Sequence, residues 1–210
     1  SALAEYKRTL PKGVFSKQFP TLPIQIDDDI RRAYRGGYTF GPKKYVGKIQ
    51  GTGLVLDVNS LYPYVMNSKL LPYGIPVFES GIPTLSEEFP LSIFSLVITA
   101  KLKPGMLPII QIKAGSIFNG AEYLTEINEP TEISVTNIDW EMYNKHYDIV
   151  IHEYLGGWKF HGQHDMFHAY IEKWSHIKET STGGRREIAK LYLNSLYGKF
   201  GTNPRVIGKR

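Results

Sequence analysis

The chain has 210 residues, a formal net charge of +5, and 42% apolar against 21% charged residues. That is the make-up of one or two folded domains and excludes a disordered chain. There is no cysteine, which excludes disulfides and thiolate catalysis and fits a reducing compartment. No apolar run approaches the ~20 residues of a membrane helix, and the N-terminus lacks the apolar core of a secretory signal, so no membrane partner is expected.

The charge is unevenly spread. Residues 1–50 carry 10 Lys/Arg against 4 Asp/Glu, residues 51–177 carry 7 against 14, and residues 178–210 carry 8 against 2. Clustered Lys/Arg draw phosphate backbones, so the basic ends are the nucleic-acid candidates and the acidic middle suits a protein partner. Each stretch is equally compatible with plain solvated surface.

In chain order, residues 1–50 are rich in Gly, Pro and aromatics, with weak periodicity. Asp27-Asp28-Asp29-Ile30-Arg31-Arg32 is compatible with the opening of a short helix, which Tyr34-Arg35-Gly36-Gly37-Tyr38 then breaks. The apolar run Gly53–Val58 predicts a strand buried on both faces, and Pro63 permits only a turn or a first helical turn. Residues 91–102 alternate and predict a strand. Shorter strands are expected near 108–112, 121–124, 131–135 and 149–155. Thr136 with Asp139 three residues on predicts a capped helix to about His146.

From about Asp165 the period becomes helical, with Phe167, Tyr170, Ile171, Trp174 and Ile177 on one face. Thr180-Ser181-Thr182-Gly183-Gly184 reads as a loop. A second helix is expected from about Arg185 to Tyr197, ended by Gly198, Gly201 and Pro204. Strands and a helix followed by a helical pair with a basic tip read as α+β.

Two segments carry residues suited to chemistry. Asp57 stands where the expected strand gives way to a turn. There it fits either a ligand for a hard cation such as Mg²⁺, which takes protein carboxylates plus substrate phosphates, or a cap for the following helix. On the last helix, Ala189, Leu193, Leu196 and Phe200 form an apolar stripe. Lys190, Asn194 and Tyr197 form a polar-aromatic stripe that Arg186 extends by a turn. A lysine there suits a phosphate, and Gly198 offers close approach because no Cβ intervenes.

Asp57-Val58-Asn59-Ser60-Leu61-Tyr62-Pro63 resembles motif A (D-x-x-S-L-Y-P) of family B DNA polymerases, and Lys190–Gly198 resembles their motif B (K-x-x-x-N-S-x-Y-G). Tyr34-Arg35-Gly36-Gly37 resembles the Y-x-G-G element that precedes motif A in that family. The three stand in the family's order, and the resemblance is closest to the protein-primed enzymes of phages and linear plasmids.

The resemblance implies an α+β fold in four regions. Residues 1–68 would be part of a palm with an antiparallel sheet and motif A. Residues 69–162 would be a mixed α/β insertion contacting a terminal protein. Residues 163–201 would be a two-helix fingers hairpin, and 202–210 would begin the next region. It implies nucleotidyl transfer from a dNTP to a primer or terminal-protein hydroxyl, assisted by two metals, Mg²⁺ or Mn²⁺. Asp57 would be the catalytic metal ligand, with the Val58 carbonyl assisting. Ser60, Leu61, Tyr62, Lys178, Arg186, Lys190, Asn194 and Tyr197 would bind nucleotide, Tyr62 rejecting a 2′-hydroxyl. Tyr34, Arg35, Gly36, Gly37, Ser195, Gly198 and Lys199 would contact primer-template DNA. A cytoplasmic location, in a bacterial cell or a phage-infected host, is implied as well.

A second carboxylate motif of D-T-D type is expected after motif B and is absent from these residues. The chain therefore reads as an internal fragment, expected to bind nucleotide weakly and not to extend a primer. The alternatives are a non-catalytic module docking DNA and terminal protein, or a metal-dependent nuclease. His161, His164 and His168 could bind Zn²⁺ from one helical face, or serve as solvated or capping imidazoles.

Overall fold

The computed structural model describes residues 1–49, 51–112 and 123–202. The first half of the strand expected at 121–124, and all but Thr202 of the region expected from 202 onward, lie outside them. In chain order the elements are α1 (Ala2–Arg8), α2 (Val14–Gln18), α3 (Ile24–Arg32), α4 (Leu61–Ser68), β1 (Leu71–Glu79), β2 (Leu91–Leu102), β3 (Glu126–Thr136), α5 (Asn137–His146), β4 (Tyr147–Gln163), α6 (His168–Thr180) and α7 (Gly183–Phe200). They form two compact units. One comprises Ser1–Pro20, Gly53–Tyr73 and Gly162–Arg210, and the other Thr21–Thr52 and Gly74–His161.

The first unit is helical and is built around Tyr6 of α1. Its ring lies 4.7 Å from Phe167, 6.1 Å from Tyr170 and 6.0 Å from Phe200, and its hydroxyl donates to the Met166 carbonyl at 3.0 Å. The stripe Ala189, Leu193 and Leu196 is buried as expected. The Tyr170 hydroxyl donates to the Tyr192 carbonyl at 2.8 Å, and Trp174 stacks on Tyr192 at 4.3 Å. These contacts lock α6 against α7.

Helix α7 is longer than its sequence predicts. It starts at Gly183, leaving only Ser181 and Thr182 as loop, and runs through Gly198 to Phe200. Glycine costs a helix only ~1 kcal/mol, and Phe200, at 4.8 Å from Phe19 and 5.4 Å from Phe167, is anchored in the aromatic core. Tertiary burial outweighs the local stop signal.

The run Gly53–Val58 is not a strand. It is irregular, with Leu54, Val55 and Leu56 more than four-fifths exposed. A strand exists only when a neighbour takes its hydrogen bonds, and no described residue pairs with this one. The apolar pattern states a need for burial that the local sequence cannot meet.

In the second unit a four-stranded sheet has the order β1-β4-β2-β3, with β2 antiparallel to both β3 and β4. Alternate residues of β2, namely Ser92, Phe94, Leu96, Ile98 and Ala100, are buried. The apolar ones pack with Ile127, Ile133 and Val135 of β3 and with Tyr143 of α5. The Tyr147 phenol is saturated: it accepts from the Ile109 and Ile110 amides at 2.8 and 3.2 Å and donates to the Leu124 carbonyl at 2.8 Å. Near 108–112 the structure has only a bridge, Ile110 to Leu124. Helix α5 follows its expected bounds, with the Thr136 hydroxyl accepting from the Asp139 amide at 3.0 Å.

Three elements depart from the local signals. Strand β4 extends well beyond 149–155 because Gly156 and Gly157 let it press against its neighbours. A Cβ on Gly157 would lie 2.4 Å from the Phe94 Cβ, and one on Gly156, which has φ +95°, 2.6 Å from the Phe78 ring. Strand β1 contains Pro72 and Pro76 and carries no alternation signal. It is tolerated because it lies at the sheet edge, where a missing N–H costs no ladder bond. Helix α3 opens three residues before Asp27, and its acid triplet lies within it, Arg31 Nε donating to Asp27 at 2.7 Å.

Candidate functional site

The site is built in the helical unit, where the turn Asn59-Ser60 leads into α4. Ser60 is left-handed, with φ 52° and ψ 47°, an uncommon conformation for a residue with a Cβ. Two partners hold it there. Its carbonyl accepts from the Tyr64 amide at 2.9 Å, and its hydroxyl accepts from Lys178 Nζ at 3.1 Å. Lys178 lies in the last turn of α6, so this bond ties motif A to the first helix of the hairpin. At the other end of α4, Asn67 Oδ1 and His168 Nδ1 are 3.1 Å apart.

Between these ties lies a cleft of about 480 Å³, lined by Ser60, Tyr64, Asn67, Ser175, Lys178 and Arg186 among others. Two cations, Lys178 and Arg186, face it against one carboxylate, Glu179. That balance favours an anionic guest. On α7, Glu187 sits 2.8 Å from Lys190 and 3.6 Å from Arg186. The Lys190 hydrogen bond, with the charge of Arg186 added, holds the Glu187 carboxyl below its ordinary range. A phosphate arriving at either cation competes with that carboxylate.

Tyr62 and Tyr197 bring the two motifs into direct contact. Their rings stack at 4.0 Å with 8° between planes, an aromatic contact with no room for a base between the faces. Both are more than a third exposed, so the pair lies at the surface.

The other expected site residues fall as follows. Asp57 is exposed, lies in the irregular segment and, among the described residues, makes no hydrogen bond or ion pair; it does not line the cleft. Val58 and Leu61 are exposed. Lys190 is half-buried and paired with Glu187, while Asn194, Gly198 and Lys199 are exposed on α7 and Ser195 is half-buried. Tyr34, Arg35, Gly36 and Gly37 belong to the other unit. Tyr34 is exposed, nothing lies within 4 Å of a Cβ built on either glycine, and Arg35 turns inward.

Sequence reasoning passed over Asn67, Ser175 and Glu187. Glu187 had a usable signal, standing three residues before Lys190 on one helix face. Asn67 and Ser175 had none, since only the packing of α4 on α6 makes them cleft residues.

The Asp57 carboxylate and Val58 carbonyl are the hard oxygen donors a Mg²⁺ ion takes, and they leave positions for phosphate oxygens. Among the described residues no group of three or more His, Cys, Asp or Glu converges to hold a metal. The zinc expectation fails for a plain reason: 161–168 is not one helix. His161 lies in β4, stacked on Phe89 with Nδ1 3.0 Å from the Glu88 carbonyl, and His164 precedes α6. Among the described residues no helix is long and apolar enough to cross a membrane.

Comparison with known proteins places the chain. The family profile "DNA polymerase type B, organellar and viral" matches residues 1–208. The DNA polymerase of Bacillus phage Nf is 44% identical over 209 residues, covering 99% of this chain and 36% of that protein. The DNA polymerase of Streptococcus phage Cp-1 is 33% identical, covering 95% and 37%. Phi29 DNA polymerase in its orthorhombic crystal form superposes with a TM-score of 0.94 at 42% identity, over 100% of this chain and 37% of that one. Its ternary complex with primer-template DNA and incoming nucleotide superposes with a TM-score of 0.90 over 97% and 36%. The chain thus spans a little over a third of these relatives, and it belongs to the type B DNA polymerases of organelles and viruses.

Proposed function

We propose that these residues form the nucleotide-selecting part of a protein-primed, template-directed DNA polymerase, which transfers a dNTP to a primer or terminal-protein hydroxyl. The observation that carries the reading is that motif A meets both helices of the hairpin, α6 through the Lys178–Ser60 bond beside the cationic cleft and motif B through the Tyr62–Tyr197 stack. In this reading Lys178, Arg186 and Lys190 hold the triphosphate. Ser60 and Leu61 shape the turn beneath it, and Asn194, Ser195, Tyr197, Gly198 and Lys199 face the nascent base pair and the template. Tyr62 lies under the sugar, where a 2′-hydroxyl would meet its ring. Because Tyr62 and Tyr197 close on each other, an entering nucleotide must part them.

Asp57 and the Val58 carbonyl would hold Mg²⁺ or Mn²⁺ together with the phosphates. When bound, the metal neutralises charge developing on the transferring phosphate. Among the described residues one carboxylate, Asp57, is available for that role, and in this reading the chain binds nucleotide weakly and does not extend a primer by itself. We assign Tyr34, Gly36 and Gly37 to the template strand. The stretch 69–162, with Glu126, Glu129 and Glu132 exposed along β3, is assigned to the insertion that meets the terminal protein. Its acidic surface supports a protein contact over a nucleic-acid one.

Titration of the isotope-labelled chain with a Mg²⁺–dNTP tests the reading. Resonances of Ser60, Tyr62, Lys178, Arg186 and Tyr197 should shift together, and Lys178→Ala or Arg186→Ala should each weaken binding about tenfold, as for loss of one charge-assisted hydrogen bond. Shifts confined to residues outside α4, α6 and α7 would refute it. Primer extension with Mg²⁺ or Mn²⁺ should yield no product, and sustained incorporation would overturn the single-carboxylate argument.

A further inference from the structure

Family resemblance casts Arg35 as a DNA contact, but its guanidinium faces the protein. Nη1 donates to the carbonyls of Arg32 at 2.6 Å and Tyr34 at 3.1 Å, and Nη2 donates to the Ser134 carbonyl at 3.3 Å. Nε is buried and, among the described residues, makes no hydrogen bond, while the guanidinium also acts on the Tyr143 phenol of α5. Ser134 belongs to β3 and is itself buried, its hydroxyl 2.6 Å from that of Ser95 on β2. Arg35 therefore bridges the end of α3 to a buried position on β3, an edge strand of the sheet. The nearby Arg32 is different, being exposed and ion-paired with Glu132 at 2.9 Å.

The segment is fixed at its far end too. The Tyr38 hydroxyl donates to the Pro108 carbonyl at 3.2 Å, the Thr39 amide donates to the Tyr123 hydroxyl at 3.2 Å, and the Tyr38 and Tyr123 rings lie 4.7 Å apart. Between these anchors stand Gly36 and Gly37. Neither has a positive φ, and a Cβ on either would meet nothing within 4 Å. Neither the backbone conformation nor internal packing demands glycine at these positions. What glycine leaves there is bare main chain, open to close approach from outside.

We propose that Arg35 is a positioning residue: it holds the Gly36–Gly37 main chain outward as a rigid docking edge for a nucleic-acid backbone, and does not itself contact a phosphate. The nucleic-acid part rests on the template-strand reading given above; the positioning part does not. A fork-shaped guanidinium can reach carbonyls on α3 and β3 together, whereas a lysine ammonium is a point charge on a flexible stem. Lysine thus conserves a phosphate contact but not this bridge.

The test uses the full 210-residue chain with Arg35→Lys and Arg35→Ala. Amide order parameters of Gly36 and Gly37 should drop in both variants from about 0.85 to below about 0.6, with those of β2 and β3 unchanged. Affinity for a single-stranded oligodeoxythymidylate should fall about tenfold in both, while the slope of log K against log salt stays as in the parent chain. The proposal is overturned if the glycine order parameters do not change, or if the whole sheet loosens with them. It is also overturned if Arg35→Ala shrinks the salt slope by roughly 0.7 and Arg35→Lys restores it, the signature of a direct phosphate contact. Should the parent chain bind no single strand while the order parameters fall as stated, the positioning role stands and the template-strand reading fails.

Discussion

Raising the pH from 9 to 11 should destabilise the helical unit through two phenols that the fold keeps from ionising. Tyr6 and Tyr170 are fully buried, each at 0% exposure, and burial pushes both hydroxyls far above the ordinary tyrosine value. In the unfolded chain they ionise near pH 10. Their raised folded values mean that the associated stability is complete below about pH 10 and drains away as pH climbs past it. One unit above that point each phenol costs about 1.4 kcal/mol, so the pair costs about 3 kcal/mol at pH 11. Trp174, stacked on Tyr192, reports on this unit once Trp140 and Trp158 are replaced by Phe. Urea titrations at pH 9, 10 and 11 then give the stability directly. The variant Tyr6→Phe/Tyr170→Phe starts lower at pH 9, because each hydroxyl's hydrogen bond contributes about 1 kcal/mol, but should lose about 3 kcal/mol less between pH 9 and 11. Parallel losses in parent and variant would show that the phenols titrate freely in the folded state, and the burial argument would be wrong.

Other outcomes follow from single contacts. Tyr147→Phe strands the buried Ile110 amide, the half-buried Ile109 amide and the Leu124 carbonyl, and should cost the sheet unit about 2–4 kcal/mol in urea unfolding; a cost under ~0.5 kcal/mol would mean that water replaces the phenol. Gly157→Ala forces a methyl into the backbone of Phe94 and should cost at least ~3 kcal/mol or prevent folding, whereas an unchanged melting temperature would contradict the close approach of β4 and β2. Glu187→Gln frees Lys190 and Arg186 and should tighten Mg²⁺–dNTP binding about threefold with little effect on stability, because the pair is exposed. Weaker binding would show instead that Glu187 holds those cations in place.

Much of the fold was legible wherever short-range chemistry decides. Strand β2 and helix α5 fall on their expected bounds, because alternation and the Thr136–Asp139 cap act within a few residues. The buried stripe of α7 follows from helical period alone, and the three motif strings identified the family before any coordinate. The conformation around the site was not legible. Gly53–Val58 reads as a buried strand, yet burial requires a partner that the segment cannot encode by itself. Two prolines hid β1, since only position at a sheet edge makes them harmless. Gly198 reads as a stop, and Phe200 overrides it by entering an aromatic core assembled from α1, α2 and α6. The sequence by itself determined residue types and periods, hence the family and the chemistry on offer. Tertiary structure alone decided that Lys178 meets Ser60, that Tyr62 closes on Tyr197, and that Arg35 faces inward, because each depends on contacts between residues far apart in the chain.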